Sequence, residues 1–330
     1  MSLMYLLWQA EKQRKRNVSN SLSMRRRLRD LSDPLKLPEK QFIAMFRVDK
    51  STFQRLLVEL RARLPDSKRS TAVRKELKIL AALNFYAKGA YQRSIGACDL
   101  NSMSQPTFSR CFNEVTDALN SPDILQKYIK FPVCQADRKV IINGFMEKFG
   151  FPGVIGCVDG MQVAILQPKK EKEAFFNDNN YYSLNVLIIC DAKLNILYVD
   201  ASFSGASTDE QVWEQCAVKE VLQNIPETRR CWLLGDSEYP QGPRMLTPNS
   251  EPTPDISRHL GSESYVELHH KTWNTVQDCM KALRERWQCL KGRKPLHYGP
   301  TTAAKIVNAC VVLHNIANLG NVPLVMSSVT

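Results

Sequence analysis

The sequence has no apolar run approaching the roughly 20 residues that cross a bilayer, and its opening MSLMYLLWQA meets charged residues too soon to read as a secretory leader. A soluble, intracellular protein is the expectation. It lacks any C-x-x-C pair, and its 5 histidines fall in no Cys/His spacing of a zinc site. The 10 cysteines stand singly from Cys98 to Cys310, so they should be reduced, small and mostly buried rather than a disulfide frame. Neither an internal repeat nor a low-complexity block occurs.

What is present is material for a core and an excess of positive charge. At 330 residues and 44% hydrophobic content the chain suffices for one large domain or two modest ones. A formal charge of +12 favours phosphate or an anionic membrane surface as partner, and charge alone does not choose between them. Two basic clusters, Arg14-Lys15-Arg16 and Arg25-Arg26-Arg27, flank a polar spacer. They read equally as a solvated face or tail and as a nuclear address or phosphate-contacting arm.

From Pro38 to about Lys130 the apolar spacing is helical, with starts marked by Asp49 and Ser51 and by Ser104 followed by Pro106. Within it, GACDLNSMSQPTFSRCFNEVTDAL reads as a short helix, a turn and a second helix. A helix-turn-helix would present Gln105, Thr107, Ser109 and Arg110 to a major groove, whereas a plain helical hairpin explains the same pattern as scaffold. After Phe131 the period changes. GVIGCVDG, SLNVLIIC, NILYVDAS and RCWLLGDS are short apolar runs bounded by turn residues, hence four buried strands. The first three are too closely spaced for crossover helices and should form an antiparallel meander. One helix, TDEQVWEQCAVKEVLQ, separates the third strand from the fourth. Residues 240–266 read as a long surface loop, and two amphipathic helices, Thr272–Leu290 and Thr301–Leu319, close the chain.

Two strands end in an acid, Asp159 after GVIGCV and Asp236 after CWLLG. If the first and fourth strands are neighbours these carboxylates converge, and they repel unless a divalent cation lies between them. A carboxylate set without histidine suits a hard ion such as Mg²⁺ or Mn²⁺, which in pairs activates a nucleophile and stabilises the leaving oxygen of a phosphodiester. Asp191 and Asp200 read as turn and strand-end residues. Asp209 opens the helix after the SGAST loop, where capping is its ordinary role, with Thr208 and Ser207 as competitors.

Several ordered segments together resemble the Harbinger (PIF-like) transposases and the nucleases domesticated from them: FPGVIGCVDGMQVAI, YYSLNVLIICDAKLNILYVDASFSGASTDEQVW, WLLGDSEYP, RERWQCL and CVVLHNIA, spanning roughly Ala72 to Asn318. The resemblance implies an RNase H-like mixed sheet with flanking helices, preceded by the all-helical, helix-turn-helix-like region. The implied division is a basic arm over 1–35, the helical region over 36–130, the nuclease domain over 131–320 and a tail over 321–330. It also implies a divalent-metal site, Mg²⁺ or Mn²⁺, for cutting DNA. Carried over by motif, Asp159 and Asp236 are catalytic metal carboxylates and Asp209 is the further metal candidate.

The third catalytic position, a glutamate in the family, falls on Gln277, whose amide is a weaker ligand and brings no charge. Asp278 points about 100° away on the helix and Glu285 lies about 12 Å along it, so neither replaces that glutamate without rearrangement. Met161 and Gln162 stand where the family often has Thr and His. Two functions follow from the resemblance: a metal-dependent DNA endonuclease, or a cleavage-inactive DNA-binding or adaptor protein. It further implies a nuclear location, with the cytoplasm second, and a Myb-like DNA-binding partner. Monomer and homo-oligomer are both left open.

Overall fold

The computed structural model describes residues 11–17, 20, 23–24, 26–27, 33–66, 72–89, 103–225, 230–260, 264–292 and 295–325. The chain divides into two compact units, Met1–Ala118 and Leu119–Thr330.

The first unit is helical: α1 Glu39–Phe46, α2 Lys50–Arg61, α3 Lys75–Lys88 and α4 Gln105–Leu119. Asp49 caps α2 by accepting the Thr52 amide at 2.6 Å. α3 is apolar almost all round and is buried from Leu77 to Ala87, as a central helix should be. Phe85 and Phe112 meet with ring centroids 4.6 Å apart, and the Tyr86 and Thr116 hydroxyls share a hydrogen bond of 2.7 Å. α4 begins where Ser104 and Pro106 mark it. The preceding helix of the expected helix-turn-helix lies outside the described residues.

The second unit carries α5 Pro122–Tyr128, α6 Gln135–Phe149, β1 Val154–Ala164, β2 Ser183–Cys190, β3 Ile196–Ser204, α7 Asp209–Gln215, α8 Ala217–Gln223, β4 Trp232–Leu234, β5 Met245–Leu246, α9 Tyr265–Arg286 and α10 Pro300–Leu319. The strand order is β3-β2-β1-β4-β5. The first three strands form the expected antiparallel meander, and β4 and β5 run parallel to β1. A mixed five-stranded sheet flanked by helices is the RNase H-like α/β arrangement. α6, α9 and α10 pack against the long strands, and α7 and α8 close a second core over Val158, Leu187, Ile189 and Leu233.

Asn315 fastens α10 to the edge strand. Its Oδ1 accepts the Ile196 amide at 2.9 Å, and its Nδ2 donates to the Ile196 and Tyr128 carbonyls at 2.7 Å each.

Four expectations are corrected. The helix after the SGAST loop is two helices, broken at Cys216, whose extended backbone (ψ 138°) ends α7. Residues 240–266 are no plain surface loop: they hold β5 and a one-turn helix, Pro254–Ser257, and bury Met245, Leu246 and Ile256. α9 starts at Tyr265 rather than Thr272 because Ser264 and Glu267 form a capping box, and it ends at Arg286. α10 is buried on nearly every side instead of being amphipathic. In addition α5, grouped by sequence with the helical region, belongs to the second unit. Of the described cysteines eight are buried and Cys134 is exposed, and none of them is in a disulfide.

Candidate active site

β1 does not end at Asp159 as expected but runs on to Ala164, so Asp159 lies within the strand, paired with Ile188, at a position only 7% exposed. One Asp159 oxygen accepts the Gly160 amide at 2.8 Å. α9 is pinned across this strand: the Trp273 indole donates to the Val158 carbonyl at 3.1 Å and the Cys157 thiol to the Thr272 carbonyl at 3.4 Å. One turn further along α9, the Gln277 amide donates to the other Asp159 oxygen. Gln277 is thus the α9 side chain set on Asp159.

Asp209 is released from capping because Thr208 does that work, accepting the Gln211 amide at 3.2 Å in a reciprocal capping box. Its carboxylate lies on the Cα of Gly160. A Cβ on that glycine would come 2.3 and 2.8 Å from the two Asp209 oxygens and 2.9 Å from Asn185 Oδ1. Asn185, buried in β2, donates its Nδ2 to Asp209 at 2.8 Å and to the Ser207 carbonyl at 3.0 Å. Its Oδ1 is buried without a hydrogen-bond partner.

Asp236 follows β4, which is hydrogen-bonded to β1. The carboxylate is half-exposed and accepts the Glu238 amide at 2.9 Å in its own turn. Its charge still reaches the other two acids and raises the pKa of each. Burial, then the Asp209 charge and more weakly that of Asp236, push Asp159 up to about 7 against the bonds from Gly160 and Gln277. Burial raises Asp209 as well, opposed by the Asn185 bond. Among the described residues no three His, Cys, Asp or Glu side chains stand close enough to enclose an ion. Asp236 acts on Asp159 more weakly than Asp209 does, and it also acts on Asp209.

These donors fit a hard divalent cation. They are oxygen atoms only, the Asp209 charge holds the Asp159 pKa up, and an amide oxygen beside them lacks a partner.

The other sequence candidates are placed as follows. Asp191 organises its turn, accepting the Lys193 and Asn195 amides at 2.8 Å each, and Asp200 accepts the Ser202 amide at 3.0 Å. Asp278 is exposed and Glu285 half-buried further along α9. Met161 is buried, and Gln162 accepts the Ser183 hydroxyl and donates to the Gly205 carbonyl at 3.3 Å, tying β1 to the loop before Asp209. In the first unit Gln105 and Arg110 are exposed and Thr107 and Ser109 half-buried, the Thr107 hydroxyl being bonded to Ser104 at 2.8 Å. Arg14, Lys15, Arg16, Arg26 and Arg27 are exposed, and Arg25 lies outside the described residues.

Sequence reasoning missed Asn185, Tyr239 and Arg284. The signal for Asn185 was a lone polar residue in the apolar run SLNVLIIC. Tyr239 stood unremarked in WLLGDSEYP; its hydroxyl is buried, without a hydrogen-bond partner, and under the charge of all three acids. Arg284 lies two turns beyond Gln277, donates to the Gln162 carbonyl at 3.2 Å and feels the Asp159 charge.

Residues 158–315, which begin beside Asp159 and run to Asn315, match the family described as DDE superfamily endonuclease. The chain is 34% identical over 262 residues to "Putative nuclease HARBI1" of Xenopus laevis, covering 79% of this chain and 72% of that protein. It is 35% identical over 253 residues to the Bos taurus protein of the same name and 33% to the human one, with 76% of this chain and 69% of each relative covered. No solved structure matches. The chain therefore belongs to the Harbinger-derived, HARBI1-like family of DDE superfamily endonucleases.

Proposed function

We propose that this protein is a divalent-metal-dependent DNA endonuclease. The observation that carries the reading is the seating of the Asp209 carboxylate on Gly160, next in sequence to buried Asp159 and within the charge of Asp236. Asp159 and Asp209 would hold the cation, with Asp236 completing its surroundings from the turn after β4. A bound Mg²⁺ or Mn²⁺ supplies an activated water and neutralises the leaving oxygen of a phosphodiester. Asp159, whose pKa is raised to about 7, would be deprotonated as a ligand, and Gln277 orients that carboxylate through its amide. Arg284 adds a positive group beside the site, and the formal charge of +12 favours a phosphate backbone as substrate.

The Gln277 bond also supports a second reading, a DNA-binding or adaptor protein without cleavage. The amide occupies an Asp159 oxygen and contributes no charge, so ion affinity is lower than three carboxylates would give. The test is incubation of the purified chain and of Gln277→Glu with duplex DNA, in Mn²⁺ and in EDTA. Products from the natural chain that EDTA abolishes are expected for the endonuclease. Products from the variant alone establish the second reading, and products from neither, with salt-sensitive DNA binding intact, overturn the first.

A further inference from the structure

We propose that Tyr239 is a positioning residue of the carboxylate site, its buried phenol O–H being the hydrogen-bond donor that Asp209 takes up when that carboxylate engages an ion. The inference rests on the metal-dependent reading above.

The ring of Tyr239 is 3% exposed and its place is tightly specified. It meets Trp213 edge-on, with centroids 6.2 Å apart at 72°. It also lies over Gly235, where a Cβ would come 2.9 Å from the ring. A phenylalanine would fill the same space. The oxygen is the difference, and it is buried without a hydrogen-bond partner. An O–H covered in this way lowers stability relative to an apolar replacement of the same shape, so packing does not account for it.

Its surroundings give the oxygen a use. Asp209 and Trp213 are four residues apart on α7 and share a face of that helix. The ring packed on Trp213 therefore lies along the face that carries Asp209. Asp209, Asp159, Asp236 and Cys216 are the ionisable groups that act on the hydroxyl, Asp209 most strongly. The Cys216 thiol is engaged with the Trp213 carbonyl at 3.1 Å, which leaves the carboxylates as acceptors. A covered hydroxyl does not touch a phosphodiester, so Tyr239 acts through a carboxylate. Asn185 already holds Asp209 from the β2 side, and a bond from Tyr239 would fix the carboxylate between two donors.

Tyr239→Phe tests this in two measurements on the full chain: thermal unfolding in EDTA, and Mn²⁺ affinity by titration calorimetry or electron paramagnetic resonance. The expected result is an unfolding midpoint equal to or above that of the natural chain, together with Mn²⁺ binding weakened about tenfold, roughly the worth of one hydrogen bond to a charged group. A midpoint that falls in EDTA makes the hydroxyl a structural bond of the resting protein and overturns the proposal. Equal Mn²⁺ affinity in both proteins overturns it while leaving the metal reading in place. If the natural chain itself binds no Mn²⁺, the metal reading has failed and this inference falls with it.

Discussion

The carboxylate of Asp209 rests on the Cα of Gly160, 2.3 Å from where a Cβ would stand. An aspartate at the start of one helix thereby comes alongside the acid that precedes Gly160 in β1, and only a residue without a side chain permits the approach.

Gly160→Ala should therefore displace Asp209. We expect the unfolding free energy to fall by about 1–3 kcal/mol, the usual cost of an added methyl in a filled space. Mn²⁺ affinity should drop at least about tenfold, because two ligands no longer converge. Paired denaturation curves and Mn²⁺ titrations check this. An alanine variant with natural stability and natural ion affinity would show that the contact has no bearing on the site.

Much of the fold was legible in the sequence and parts of the site were not, for physical reasons. Short apolar runs bounded by Asn, Asp, Ser and Gly pointed to the meander, and the same logic put Asp236 just after β4; it also read Asp159 as a strand end, whereas β1 continues to Ala164 and holds Asp159 in its interior, paired with Ile188. β5 was hidden because a parallel edge strand of two residues carries no periodicity, and its neighbours Pro240, Pro243 and Pro248 read as loop. The Ser264–Glu267 capping box was readable but was absorbed into that loop. The fixing of Asp209 against Gly160 depends on contacts between β1, β2 and α7, which no local pattern encodes. The Gln277 assignment came from motif alignment, and the structure sets that amide on Asp159.

Stability of the ion-free protein should depend on pH through Asp159. Its folded-state pKa is raised to about 7, so between the ordinary carboxylate value and 7 the native state holds a proton that the unfolded state has lost. Stability then decreases as pH rises through that window and levels off above it. A shift of about three pH units corresponds to at most about 4 kcal/mol. Asp159→Asn should lessen the slope, leaving the part that the raised Asp209 contributes, and be more stable than the natural chain at pH 8 in EDTA. Parallel slopes for the two proteins from pH 5 to 8 would contradict the assignment.

Gln277→Glu should place a third negative charge against Asp159. In EDTA at pH 8 the variant should unfold more easily, by up to about 1 kcal/mol, since a like charge is brought against buried Asp159 from a position that is itself exposed to solvent. Mn²⁺ should reverse the order, raising the variant's midpoint more than that of the natural chain because tighter binding gives a larger linked stabilisation. Thermal shifts over a Mn²⁺ series would decide, and identical shifts for both proteins would mean that position 277 lies outside the ion's reach.

Asn315 supplies the opposite control, a residue inside a family motif whose work is structural. Its side chain bonds three backbone groups, the Ile196 amide and carbonyl and the Tyr128 carbonyl, and so joins α10 to β3 and to the end of α5. Asn315→Ala removes all three bonds, two of them to the buried Ile196 backbone, which should cost about 2–4 kcal/mol. None of its partners touches Asp159, Asp209 or Asp236, so at a temperature where the variant is folded its Mn²⁺ affinity should equal that of the natural chain. Measured side by side with Gly160→Ala, the two variants separate losses of fold from losses of site: a drop in ion affinity for Asn315→Ala matching its drop in stability would indicate that the carboxylate cluster depends on the whole sheet edge rather than on the contact at Gly160.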